Sequence, residues 1–303
     1  MTTALVRTAR RTAAGATVAA LAVTGVVTLA GAAPRPNTHP VATFNAAAAK
    51  LVPASIKAKS KSSGLAEAFD ATYPPDEFLA ANHSTIIGFD ADLGNALAIT
   101  LGLRFKPTNV TFDNILPRLQ SGAVDIANSS FTDTVKREKS VNFTDYFVAG
   151  EAFYVKHNSS LVLNSLAALC GHSVAVETGT VEQTDATTQN AKCPSNKKIS
   201  ITTYPTQTAA NSAVASSRQQ AGFADSQVAG YIVTQSKGVF KLAGKAINVA
   251  PYGIATSKKT SFDKALLAAM NVLIKNGVYG YILKHWGVSA GAVKAAKIND
   301  PTL

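Results

Sequence analysis

Phe112-Asp-Asn-Ile-Leu-Pro-Arg-Leu-Gln-Ser-Gly-Ala-Val-Asp-Ile-Ala127 decides the fold class. Phe112, Ile115, Leu116 and Leu119 recur at the three- and four-residue spacing of one helix face, so 112–120 is read as an amphipathic helix. Asp113 sits where a cap is needed, Pro117 lies near the first turn, and Gly122 follows the end. Val124 to Ala127 is a short apolar run, a buried strand. A helix closed by glycine that turns directly into a buried strand is half of a βαβ unit.

The same alternation extends to both sides. Upstream, strands are read at Leu65–Asp70, Ile86–Phe89 and Leu103–Pro107, with a helix at Asp92–Leu101. The pattern restarts after residue 150. Strands are expected at Glu151–Val155, Ser173–Val176, Lys198–Tyr204, Ala221–Ala224 and Pro251–Ala255. Helices are expected at Leu161–Leu169, Val181–Asn190, Thr208–Gln219 and Gln227–Gln235. A helix Phe262–Ile274, capped by Ser261, and a last helix Val278–Trp286 follow. Two α/β blocks with largely parallel sheet result, without the fixed period of a repeat protein.

The ends read differently. Arg7, Arg10 and Arg11 precede 23 uncharged residues, Thr12 to Pro34, in which the apolar core Val18–Ala30 leads into the small-x-small site Ala30-Gly31-Ala32. Residues 1–32 are read as a secretory signal peptide. The stretch is long enough to span a bilayer, but Ala, Gly and Thr make it weakly hydrophobic. The Arg10-Arg11 pair leaves Sec and twin-arginine export both open. No cysteine follows the apolar core, so no lipid anchor is expected. The chain of 303 residues carries +11, with 47% hydrophobic and 16% charged residues, which excludes wholesale disorder. Loss of residues 1–32 removes three arginines and no acid, leaving +8. Residues 33–63 hold Arg35, Lys50, Lys57, Lys59 and Lys61, no acid and four prolines, and are read as a flexible basic leader. This leader could hold the protein near an anionic envelope. Residues 288–303 are read as a C-terminal tail. The histidines His39, His83, His157, His172 and His285 are scattered, so no metal is expected, and no cofactor. No basic stripe interleaved with aromatics is present, so nucleic acid is set aside.

The order of motifs resembles the extracellular solute-binding proteins of polar amino-acid ABC importers. The resemblance rests on Asp70-Ala-Thr-Tyr-Pro-Pro-Asp-Glu-Phe78, Ile87-Gly-Phe-Asp-Ala-Asp-Leu93, the opening stretch, and Ser129-Ser-Phe-Thr-Asp-Thr-Val-Lys-Arg-Glu138. It continues through Phe143-Thr-Asp-Tyr-Phe147, Val174-Ala-Val-Glu-Thr-Gly-Thr180, Pro251-Tyr-Gly-Ile254 and Gly277-Val-Tyr-Gly-Tyr-Ile-Leu-Lys-His-Trp-Gly287. The family implies the type II periplasmic-binding-protein architecture: two α/β lobes joined by two hinge crossovers. Lobe 1 would be 64–152 plus 251–287, lobe 2 would be 153–250, and ligand would bind between them. It also implies amino-acid transport with a membrane permease as partner, a monomer, and a secreted, periplasmic or envelope-associated location.

A free amino acid carries a carboxylate and an ammonium, and each needs a partner inside a closed cleft. Arg137 is the candidate for the carboxylate, because guanidinium binds it through two parallel bonds. The matched family arginine has this role. Ser129, Ser130 and Thr132 lie beyond the strand 124–127, where open α/β sheets bind ligands. Thr180 precedes a helix whose free N–H groups favour anions, though it also suits a plain N-cap. Asp225 matches the family aspartate that pairs with the ammonium. Nearby the chain departs from the family pattern Gly-Arg-x-Asp, with Ser217-Arg218-Gln219-Gln220 instead. Asp70, Tyr73 and Phe112 complete the set, the aromatics stacking on the ligand; Asp90 and Asp92 are read as structural.

Glu177 stands where family members read the ligand side chain, so a basic or amide-bearing ligand is expected over an acidic one. Cys170 and Cys193 flank the segment that carries Glu177 and Thr180, and export into an oxidising compartment makes them a disulfide. The alternative function is a secreted dehydratase of aromatic amino-acid synthesis on the same fold, with Glu177 or Glu182 as acid. Arg137 with Asp225 favours a zwitterion, and prephenate lacks an α-ammonium, so a non-enzyme is the primary reading.

Overall fold

A computed structural model describes residues 39–302. The expected signal peptide lies outside the described residues, as do positions 33–38 of the expected leader.

The opening helix forms at Phe112–Ser121. Gly122 closes it at φ 80°, a conformation that glycine adopts without steric cost. Its N-cap position is held by Thr111 rather than Asp113, which lies in the first turn and accepts a 2.9 Å bond from the Thr111 hydroxyl. Ser261 likewise makes no side-chain cap bond to the helix Phe262–Lys275.

In the main sheet the strands run in the order Phe105–Asn109, Leu65–Phe69, Ile126–Ala127, Ile247–Ser257, Val141–Lys156, Ala221–Asp225, Ser173–Glu177, Ser200–Tyr204. The three strands at one end pair in parallel, and so do the three at the other. Parallel neighbours need a crossover connection, and the helices Phe89–Leu101, Phe112–Ser121, Val181–Lys192 and Gln207–Ala215 supply it. The two central strands run antiparallel to each other. They are the crossovers between the lobes. Val141–Lys156 has 16 residues and reaches about 50 Å, enough to serve both lobes. Its register with Ile247–Ser257 shifts between Ile247 and Ala250, beside Asn248, which has φ 49°.

Each lobe has its own core. In the first, Phe89, Leu93 and Leu97 meet Leu266, Met270 and Leu273, while Ile115 and Leu119 meet Phe131 and Phe143 on the other sheet face. In the second, Phe153, Val174, Val176 and Phe223 form one side, and Tyr154, Val214, Val228 and Ile232 the other. Cys170 and Cys193 form a disulfide with Cα atoms 5.6 Å apart, tying the turn after Leu169 to the end of the helix Val181–Lys192.

Three expectations are corrected. The stretch 45–63 is folded, not flexible: helices Ala46–Lys50 and Ala54–Ser62 bury Ala48, Val52 and Ile56 against the first core. The expected tail contains a strand, Ala292–Ile298, which pairs with Val141–Lys156 and buries Val293 and Ala296. Its alternation is carried by small alanines and lysines, a weak pattern that tertiary pairing completes. The helix expected at Leu161–Leu169 is only a short 3-10 turn at Leu166–Leu169. Leu163 is instead buried beneath the sheet, its N–H bonded to the Ala243 carbonyl at 2.7 Å.

Candidate functional site

Between the lobes lies a tightly closed crevice with a cavity of only about 10 Å³, room for about one water, so the lobes must part to admit a ligand. Nine of the ten candidate residues line it: Asp70, Tyr73, Phe112, Ser130, Thr132, Arg137, Glu177, Thr180 and Asp225. Ser129 lies one layer behind. Its hydroxyl accepts from the Asp70 N–H at 2.9 Å and donates to Glu77 Oε1 at 2.6 Å. Glu77, Val181 and Glu182 also line the cavity. Glu77 belongs to the motif Asp70–Phe78 but points back along a hairpin, which no spacing rule reveals. Val181 and Glu182 were legible as the first turn of the helix after Thr180.

Arg137 follows the cap residue Thr134 on the short helix Val135–Glu138. Its Nη1 donates to the Thr132 carbonyl at 2.8 Å and its Nη2 to the Gly179 carbonyl at 3.1 Å. The guanidinium lies 5.2 Å from the Phe131 ring centre and 5.6 Å from that of Phe112. These rings stack at 4.4 Å and hold it in place. Among the described residues no carboxylate lies within ion-pair distance of it. Burial lowers its pKa to about 10, so the cation survives at neutral pH and lacks a counter-ion.

Ser130 has φ 49°, an uncommon region for a residue with a Cβ. Buried carboxylates fix it there: Asp90 Oδ2 accepts from its N–H at 2.9 Å, and Asp76 Oδ2 accepts from its hydroxyl at 2.8 Å. Asp90 is thus structural, as expected, and Asp92 accepts from the Trp286 indole. Burial pushes Asp90 up to about 6 and Glu77 well up, Glu77 further by the nearby Asp90 and Asp76.

The second lobe closes on this wall. Thr180 caps the helix Val181–Lys192, accepting from the Gln183 N–H at 3.2 Å and donating to the Glu177 carbonyl at 2.9 Å. Both roles envisaged for it can coexist, because the first-turn residues Val181 and Glu182 line the crevice and first-turn N–H groups have no partner within a helix. Gly179, at φ 88°, packs so closely on Asp113 that a Cβ would sit 3.1 Å from the Asp113 Cα. Tyr73 does more than offer a ring. Its hydroxyl donates to Asp225 Oδ2 at 2.8 Å and accepts from the Asp225 N–H at 3.0 Å, linking the lobes. With the Arg137–Gly179 bond, this makes the conformation a closed one.

Charge is distributed unevenly around the crevice. Asp70, Glu77, Glu177, Glu182 and Asp225 face one guanidinium. Asp70 accepts from the Phe112 N–H at 2.8 Å and from the Thr72 hydroxyl at 2.7 Å. Glu177 is buried, raised well above the usual carboxylate range by burial and then by Asp70, and its Oε1 has no partner. Glu182 is raised by burial and then by Asp225 and Glu151, and its Oε1 also lacks a partner. Burial pushes Asp225 up to about 6. A cation entering the crevice would relieve all three at once.

Known proteins share both sequence and architecture with this chain. It is 34% identical over 234 residues to the arginine-binding protein ArgT of Corynebacterium glutamicum, covering 76% of each. An ancestral arginine-binding protein bound to arginine superposes with TM-score 0.68 at 30% identity, over 73% of this chain and 97% of that one. An ancestral amino acid-binding protein that is a precursor of cyclohexadienyl dehydratase gives TM-score 0.69 at 29% identity, over 77% and 99%. Residues 65–289, which comprise both sheet halves and every candidate site residue, match the family model of the bacterial extracellular solute-binding proteins, family 3, and the chain belongs to that family.

Proposed function

We propose that the protein is the extracytoplasmic binding component of an ABC importer, capturing a basic or amide-bearing amino acid between two closing lobes and delivering it to a membrane permease. The cavity charge carries this reading: five carboxyl side chains and one guanidinium without a counter-ion. An amino acid complements such a set. Its α-carboxylate takes the Arg137 fork and the first-turn amides after Thr180. Its α-ammonium faces Asp225. The Asp70–Glu177 pair then remains for nitrogen on the side chain. The names of the arginine-binding relatives agree with this ligand class.

The order of events follows from the placement of the groups. Arg137, Ser130 and Thr132 belong to lobe 1 (64–152 plus 251–287) and form the first landing site. Lobe 2 (153–250) then brings Glu177, Thr180 and Asp225, and the charges they need arrive with the ligand. The protein acts as a monomer, without catalysis or cofactor. It is exported, and periplasmic or envelope-associated. The dehydratase reading is disfavoured by the same charge count. Prephenate brings two carboxylates and no ammonium into a crevice lined by five acids.

A thermal-shift screen of the twenty amino acids and common derivatives tests this, with prephenate and arogenate turnover in parallel. Arginine, lysine, histidine or glutamine should raise the melting temperature. Tightest binding of glutamate or aspartate, or dehydration of prephenate, would overturn it.

A further inference from the structure

The corrected N-terminal stretch has an outer face that ligand binding does not use. Helices Ala46–Lys50 and Ala54–Ser62, with the turn between them, bury Ala48, Val52 and Ile56, leaving Lys50 and Lys61 exposed and Lys57 and Lys59 half-buried. Between these helices and the turn at Leu101–Leu103 runs a groove of about 380 Å³ lined by Phe44, Lys50, Lys57 and Lys61 among others, with no acidic residue in its walls. Lys59 alone is neutralised, by Asp125 at 2.6 Å; its three neighbours have no ion-pair partner among the described residues. Two large apolar side chains stand beside them, Phe44 at 61% exposure and Leu51 at 48%.

Exposed aromatic and aliphatic side chains are costly in water unless something covers them, and three uncompensated lysines specify an anionic partner. Residues 1–38 of this chain are a poor occupant, because they hold Arg7, Arg10, Arg11 and Arg35 and no acid. Lysines on two short surface helices, with Phe44 just before the first and Leu51 just after it, match a layer that is anionic outside and apolar beneath. We propose that this face docks on an anionic lipid surface, with Lys50, Lys57 and Lys61 taking headgroup phosphates and Phe44 and Leu51 entering the interface. The inference rests on export of the protein, not on the identity of its ligand. Such docking would hold a diffusible binding protein in the plane of its permease while the cleft stays free.

Vesicle sedimentation tests it, using the chain as the expressing cell exports it. Vesicles of phosphatidylcholine are compared with vesicles that contain about a third phosphatidylglycerol, a strongly anionic surface. Binding to the anionic vesicles only, weakened by salt, is expected. The triple variant Lys50→Gln, Lys57→Gln, Lys61→Gln should lose about a hundredfold in partitioning, at roughly 1 kcal/mol per lysine. Phe44→Ser should also weaken it. Thermal melts of each variant, with and without amino acid, check that fold and cleft are intact. Equal binding to both vesicle types, or a triple variant that binds like the parent, would overturn the proposal. Equal binding to a soluble polyphosphate, with Phe44→Ser unaffected, would assign the face to a polyanion rather than a lipid and also overturn it. Vesicle binding without any amino-acid shift would sink the cargo reading and leave this one standing.

Discussion

Replacing Arg137 by alanine separates its role in holding the ligand carboxylate from its role in holding the lobes. The side chain makes two bonds to carbonyls, Thr132 at 2.8 Å and Gly179 at 3.1 Å, and its charge has no carboxylate partner. A ligand carboxylate bound by the fork would lose two charged hydrogen bonds, each worth about 1.5–3 kcal/mol. The total of about 3–6 kcal/mol corresponds to two to four orders of magnitude in affinity. Loss of the contacts with Phe112 and Phe131 adds a smaller cost to folding, on the order of 1 kcal/mol. Calorimetric titration with arginine reads the lost carboxylate bonds together with any weakening of lobe closure from the lost Gly179 bond. Titration with agmatine, which is arginine without its carboxylate, isolates the second. Arg137→Ala should weaken arginine by two to four orders and agmatine by less than about tenfold. Arg137→Lys should fall between, because it keeps the charge and loses the fork. Equal weakening of both ligands by Arg137→Ala would refute the argument and leave the residue a structural strut.

Three further outcomes can be checked with the same protein. Glu177→Gln removes a buried carboxyl beside Asp70 that a cationic side chain would ionise, so arginine and lysine should lose roughly ten- to a hundredfold in affinity while glutamine changes little; an unchanged ranking of ligands would contradict the assignment. A cationic ligand favours ionised Asp225, whose pKa stands at about 6 before binding, so affinity should decline below pH 6 by up to about tenfold per unit, with proton release on binding. Calorimetry in buffers of different ionisation enthalpy reads that release, and flat affinity down to pH 5 would contradict it. On folding the sign is opposite: native Asp225 keeps its proton between 3.8 and about 6 where the unfolded chain has lost it, so this contribution is full at low pH and lost as pH rises through 6. Reduction of Cys170–Cys193 opens a loop of 23 residues and should cost about 3 kcal/mol, or roughly 6–12 °C in melting temperature; an unshifted melt would show that the bridge adds nothing.

The sequence by itself determined the α/β class, the central helix and strand, and nine of the twelve residues that line the crevice. These are local signals. A 3.6-residue stripe, a glycine cap and a hydroxyl-rich turn beyond a strand each specify structure within a dozen residues. Tertiary structure decided what depends on partners distant in the chain. Ala292–Ile298 is a strand because Val141–Lys156 offers it free backbone groups, not because alanine and lysine favour extended chain. The segment 45–63 folds because the first core has a surface for Ala48, Val52 and Ile56, although its own lysines and prolines read as leader. Leu163 fails to join a helix because a backbone carbonyl 80 residues later takes its N–H. At the site, sequence pointed to Tyr73 as a stacking ring, and only the closed lobes placed its hydroxyl on Asp225, 152 residues away. Glu77 joins the crevice only through the fold, whereas Glu182 was already legible as the first turn after Thr180. Burial raises the pKa of both carboxyls, with Glu77 repelled further by Asp90 and Asp76 and Glu182 by Asp225 and Glu151, and that burial exists only once folding excludes the water around them.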